Sequence, residues 1–148
     1  MGHEPRNPDY EAAARESFAR QSAMEALGAN LVLVEPGRTV IEFVRNERFL
    51  QQHGYMHAGA ATTIVDSACG YAALSLMKPD AEVVTVEFKV NFIRPCIGEK
   101  FRAEGRVVSS GRQLTVCEGE VTNMETGKTI ARMQATMMAI ETDGTSPG

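Results

Sequence analysis

Residues 58–77 read AGAATTIVDSACGYAALSLM, an uncharged and largely apolar run interrupted by one carboxylate, Asp66. A helix that is apolar nearly all round is a buried helix. An Asp in such a place needs a partner or a purpose. Burial raises a carboxyl pKa and suits the group to acid–base or nucleophilic work. The competing reading is a structural Asp held by backbone donors in a core or subunit seam. At about 20 residues the run has the length of a membrane span. Asp66 lies near its middle, where a charge costs about 2.5–3.5 kcal/mol. Two Thr, two Ser and two Gly dilute it further, so a buried helix is the better reading.

Outward from this run, HGYMH precedes it and the turn signal Lys78-Pro79-Asp80 follows. The pattern then switches to period two in VVTVEFKVNFIRP. Val84, Val86, Phe88, Val90 and Phe92 are expected on one face and Thr85, Glu87, Lys89 and Asn91 on the other, with Pro95 ending the pairing. Further strands are expected at 101–108, 114–122 and 129–140, separated by the turns Ser109-Ser110-Gly111-Arg112 and Glu125-Thr126-Gly127-Lys128. In the last strand Ala131, Met133, Ala135, Met137 and Ala139 share a face whose small residues suit close packing on the helix. Upstream, residues 31–34 and 39–44 form a hairpin through Glu35-Pro36-Gly37-Arg38. Before them one helix is expected from Asn7, as a cap, and Pro8 to about Leu27, stopping at Gly28. Phe18, Met24 and Leu27 give it a thin apolar side.

The chain has 148 residues, 43% of them apolar and 23% charged, with net charge −4. One domain, 1–148, is the natural count. It divides into a helical segment at about 1–28, the body, and a flexible tail at about 141–148. The acidic balance offers no global basic field for nucleic acid. Cys69, Cys96 and Cys117 form neither a metal pattern nor a disulfide framework, and no apolar leader opens the chain. A cytoplasmic protein is expected, with no metal, no cofactor, and neither nucleic acid nor membrane as a partner. The sum is an α+β fold, a curved antiparallel sheet wrapped around one long central helix plus an N-terminal helix. An edge strand and one helix face are left over, which favours a homo-oligomer, a dimer or a dimer of dimers.

The run HGYMHAGAATTIVDSACGYAA, followed by TVEFKVNFIRP, resembles the hotdog-fold acyl-CoA thioesterases of the phenylacetate-degradation (PaaI-like) type. Their pattern is His-Gly-Gly opening the central helix with an acidic residue nine positions after the His, matched here by His57 and Asp66. Gln51 stands where the family carries Gln or Asn six residues before that His. Thr85 matches a Ser or Thr at the start of the following strand. There are two departures. Ala58 replaces the first Gly, keeping its N–H and adding a Cβ. Gly70 stands where some relatives have a hydroxyl one turn after the carboxylate. The resemblance implies hydrolysis of acyl-coenzyme A to free acid and coenzyme A, with coenzyme A entering as part of the substrate.

Thioester hydrolysis needs a polarised carbonyl and an activated oxygen nucleophile. A helix N-terminus supplies free N–H groups, here those of Ala58 and Gly59. Asp66 can act as general base on water or attack the carbonyl itself. His57 orients the loop or the thioester, or is satisfied by backbone at the helix start; His53 is read as structural or exposed. Asp66 follows Ala58 by eight residues, about 12 Å along a helix. One chain therefore cannot place both on one carbonyl, whereas two antiparallel helices across a dimer axis can; the resemblance implies the same sharing. For the coenzyme A phosphates the candidates are Lys89, Arg94 and Arg112. The resemblance favours the hairpin Ser110, Gly111 and Arg112, around which relatives hold the nucleotide. Two other functions compete. A non-catalytic acyl-CoA sensor would not need Asp66, and a hotdog dehydratase depends on a His–acid pattern that is not found here.

Overall fold

The computed structural model describes residues 2–141. In chain order it contains α1 (Tyr10–Ala19), α2 (Ser22–Leu27), β1 (Asn30–Glu35), β2 (Arg38–Val44), a 3-10 turn (Glu47–Phe49), α3 (Ala58–Leu74), β3 (Ala81–Phe92), β4 (Lys100–Ser110), β5 (Leu114–Asn123) and β6 (Thr129–Glu141). The tail expected to be flexible lies, from residue 142 on, outside the described residues. Six strands form one antiparallel sheet in the order β1-β2-β4-β5-β6-β3. α3 packs across β2, β3, β4, β5 and β6, giving the curved sheet around a central helix expected of the hotdog fold.

α3 can lie this deep because the sheet makes room for it. Ala61, Ile64, Val65, Ala68, Cys69 and Ala72 form its buried face. Beneath Ala68, β4 and β5 place Gly105 directly opposite Gly119. A Cβ on Gly105 would fall on the Ala68 backbone and 2.6 Å from the Cys69 nitrogen. One on Gly119 would stand 2.7 Å from the Val65 side chain. In the same row Thr39, paired with Gly105, donates its hydroxyl to the Ala68 carbonyl at 2.6 Å. Helix backbone and sheet backbone thus meet with almost no side chain between them. The expected inner face of β6 is also observed: Ala131, Met133, Ala135 and Met137 are all buried, and Ala139 packs at its margin.

Two expectations need correction. The N-terminal segment is two helices, not one. Gln21 is extended (φ −82°, ψ 101°) and breaks the run. Its side chain donates to the Tyr71 hydroxyl at 2.7 Å and accepts from Ser67 at 3.4 Å. α1 sits over Val34 and Tyr71 through Ala14, whereas Met24 and Leu27 of α2 enter the main core. A straight helix would run off this curved surface. Gly28 does take the left-handed conformation (φ 67°). Asn7 does not cap α1; it accepts the Asp9 N–H at 2.9 Å in a turn before it.

The second correction concerns β3. Its register shifts between Thr85 and Glu87, leaving Val86 unpaired as a bulge. Thr85 pairs with Met137 and Phe88 with Ala135, both buried under α3. Residues directly opposite in an antiparallel pair share a face. Thr85 therefore shares the inner face with Phe88, contrary to strict alternation. β3 is an edge strand, with Val84, Val86, Phe88 and Phe92 exposed.

Candidate active site

The helix start is held from three sides. His57, extended at φ −61° and ψ 135°, is the residue before α3. Its N–H donates to the Phe49 carbonyl at 2.8 Å, tying it to the 3-10 turn. Its Nδ1 accepts the Gly59 N–H at 2.9 Å, and its carbonyl accepts from Ala60 at 2.9 Å. Accepting at Nδ1 requires that nitrogen to be unprotonated. The Gly59 N–H is therefore engaged, and the Ala58 N–H is left without a partner among the described residues. Of the two amide donors expected at this terminus, only Ala58 offers a free one. The hydroxyls of Thr62 and Thr63 turn back to the carbonyls of Ala58 and Gly59 at 2.8 and 2.9 Å.

Gln51 stands beside this terminus. Its side-chain oxygen accepts the backbone N–H groups of His53 and Tyr55, closing the loop that delivers His57. Gln51, Tyr55, Ala58, Phe92 and Arg94 line a cavity of about 340 Å³. Arg94 also donates to the Thr129 carbonyl at 2.8 Å. His53 is exposed on the turn, its ring tilted against Tyr55.

Asp66 lies farther along α3, half-buried, on an open stripe with Gly59, Thr63 and Gly70. The Thr85 hydroxyl donates to Asp66 Oδ1 at 2.8 Å. Burial pushes the Asp66 carboxyl above its ordinary pKa, and the Thr85 bond partly offsets this. Asp66 makes no ion pair among the described residues. The three cysteines are free and buried. Burial pushes the thiols of Cys96 and Cys117 up to about 12, and that of Cys69 higher still. They remain neutral at physiological pH, which leaves Asp66 as the nucleophile or base of the site.

The expected phosphate contacts do not form one cluster within a chain. Arg94 is at the Ala58 end of α3. Gly111 and Arg112 are at the far end, in a cleft of about 690 Å³ with Arg6, Met77 and Lys78; Ser110 is exposed at the end of β4 nearby. Lys89 lies on the outer face of the sheet among Arg102, Glu104 and Glu118. Arg6 and Lys78 were not singled out from the sequence. Arg6 reaches the Leu76 carbonyl at 3.0 Å across 70 positions, and no local pattern marks it.

Comparison with known proteins agrees with this geometry. Residues 53–138 match the thioesterase superfamily profile. A thioesterase family protein of Silicibacter pomeroyi has a structure 46% identical in sequence (TM-score 0.87), covering 90% of this chain and 99% of that one. The acyl-coenzyme A thioesterase PaaI of Escherichia coli is 25% identical over 80% of this chain and 82% of its own; its structure superposes with a TM-score of 0.82. Human acyl-coenzyme A thioesterase 13 is 29% identical over 69% of this chain and 73% of its own. The chain spans 66% and 68% of the length of the first two curated relatives it matches. No helix among the described residues is long and apolar enough to cross a membrane. With its six-stranded sheet, its central helix and the match across residues 53–138, the chain belongs to the thioesterase superfamily.

Proposed function

We propose that this thioester hydrolase cleaves acyl-coenzyme A in a site built from two copies of the chain. The observation that carries it is the separation along α3 of a free amide, Ala58 N–H, from a half-buried carboxylate, Asp66. Eight residues of helix hold them about 12 Å apart. Asp66 from one subunit and Ala58 from its partner meet when two α3 helices lie antiparallel about a two-fold axis. The open stripe of α3 and the exposed apolar edge of β3 support such pairing. The assembly is a homodimer or a dimer of dimers. The same antiparallel arrangement brings Arg94 of one subunit toward the end of the helix that carries Arg6, Lys78 and Arg112 in the other, so both basic groups can face one coenzyme A. Reduced, buried thiols suit a cytoplasmic setting.

In the reaction, Asp66 takes a proton from water while the water oxygen attacks the thioester carbonyl carbon. Charge develops on the carbonyl oxygen, where an amide donor is worth about 2.7–4 kcal/mol. Collapse breaks the carbon–sulfur bond; the coenzyme A sulfur leaves as a thiolate and is protonated, and the acid is released. Direct attack by Asp66, with an anhydride then hydrolysed by water, gives the same products. Thr85 holds the carboxylate and keeps it ionised. The test is release of free thiol from a panel of acyl-coenzyme A esters in the presence of EDTA. Turnover of at least one ester is expected. Tight binding without turnover across the panel would establish a binding protein instead.

A further inference from the structure

Resting on that acyl-coenzyme A reading, we infer that the apolar groove between α2 and the start of α3 holds the acyl group, and that α2 sets which acyl groups are accepted. The groove has a volume of about 500 Å³. Ala23, Ala26 and Leu27 of α2 form one wall, Phe49 and Leu50 the floor, and the first turn of α3 the other wall. Its size lies within the range of about 300–1,000 Å³ usual for small-molecule sites.

Position is the first argument. His57 and Gly59, the residues on either side of Ala58, both line the groove. A carbonyl oxygen accepting the Ala58 N–H therefore has its acyl carbon at the mouth. Chemistry is the second. The polar groups on the lining are Arg48, which is exposed, His57 and Thr63. His57 Nδ1 is occupied by the Gly59 N–H, and the Thr63 hydroxyl by the Gly59 carbonyl. No free polar group faces a hydroxyl or carboxyl deep in the groove, so the class selected is aryl or medium-chain alkyl acyl. The third argument is contrast. The cavity on the other side of Ala58 is smaller and carries Gln51, Tyr55 and Arg94, which suits the polar thiol side of the substrate.

The wall is a built feature. Gln21 breaks the N-terminal helix and pins the junction to Tyr71 and Ser67. Asn46 donates to the Ala26 carbonyl at 3.1 Å, and Gly28 ends α2 in the left-handed conformation. Two alanines on the wall leave the groove open. They lie outside residues 53–138, the part matched by the family profile, so this wall is particular to the chain's own N-terminal segment.

The test is Ala23→Phe and, separately, Ala26→Phe; both side chains are exposed, so neither change enters the core. Two ratios are read: kcat/KM for octanoyl- over acetyl-coenzyme A, and affinity for S-octyl-coenzyme A, a thioether that is not hydrolysed, over coenzyme A by calorimetry. Each buried methylene contributes about fourfold, so both ratios should fall about tenfold or more in at least one variant. If wild type hydrolyses both esters and neither variant moves either ratio by more than about twofold, the groove is not the acyl site while the hydrolase reading stands. Loss of the wild-type oligomer in sedimentation, with the ratios unmoved, assigns the groove to the subunit seam and overturns the inference. If wild type neither turns over any ester nor prefers S-octyl-coenzyme A to coenzyme A, the acyl-coenzyme A reading fails and the inference with it.

Discussion

Thr85 donates its hydroxyl to Asp66 at 2.8 Å from a strand whose simple alternation would point it away, because the bulge at Val86 brings Thr85 onto the face that meets α3. This bond favours the ionised carboxylate against the burial that disfavours it. Replacing Thr85 by Val should therefore raise the Asp66 pKa further. The acid limb of the pH–kcat/KM profile should move to higher pH, with a smaller loss on its plateau. An unmoved limb would separate Asp66 from the rate-governing ionisation.

Asp66→Asn keeps the shape and removes basicity. kcat should fall by about 10²–10⁴-fold with little change in KM. The stability effect has a definite sign. A raised native pKa means the folded protein holds this proton more tightly than the unfolded chain. Its contribution to stability is fully present below the unfolded pKa and declines as pH rises through the native one. The Asn variant should therefore gain melting temperature relative to wild type at pH 7 more than at pH 4. Thermal denaturation at both values checks this; a larger gain at pH 4 would contradict the burial account.

Ala58→Pro isolates the amide. Ala58 is the first residue of α3, where proline is well tolerated, and His57 before it is already extended. Stability should change by less than about 1 kcal/mol, while kcat falls about 10²–10³-fold. Ala58→Gly, which keeps the N–H, should retain activity.

Mixing Asp66→Asn with Ala58→Pro tests the shared site. Half of randomly exchanged dimers are mixed, and one of the two sites in each is intact. Activity should recover to about a quarter of wild type. Verified mixed dimers that stay inactive would falsify the two-subunit site.

His57→Ala should cost about 0.5–2 kcal/mol in urea unfolding, because it removes the acceptor of the Gly59 N–H. His57→Asn should restore most of the loss, since an Asn oxygen serves the same donor. Equal losses in both would mean that the imidazole stabilises through packing.

The central helix, the strand order along the chain and the carboxylate were legible because each rests on local pattern: one charge in an apolar run, period-two alternation, turn residues at the right places. What stayed hidden depends on distant partners. Gln21 looks helical until Tyr71, fifty positions away, claims its amide. The bulge at Val86 leaves no mark in a sequence that alternates without interruption, so Thr85 was matched by resemblance while its face was misread. Engagement of the Gly59 N–H had a readable signal, a histidine at the capping position, although Ser, Thr, Asp and Asn are the usual caps. Arg6 joins Arg112 only through the tertiary fold.

The paired glycines Gly105 and Gly119 leave α3 resting backbone on backbone, with Thr39 fastened to the Ala68 carbonyl. A helix seated this way has no cushion of side chains to rearrange, so it can neither roll nor slide without opening the sheet. The carboxylate is thus an anvil. Whatever accommodation a bulky substrate demands must come from the hammer side, the short α1–α2 segment and the loop through Gln51. Chemistry and selectivity are in this way mounted on mechanically separate parts, and the second can drift in sequence while the first stays in place.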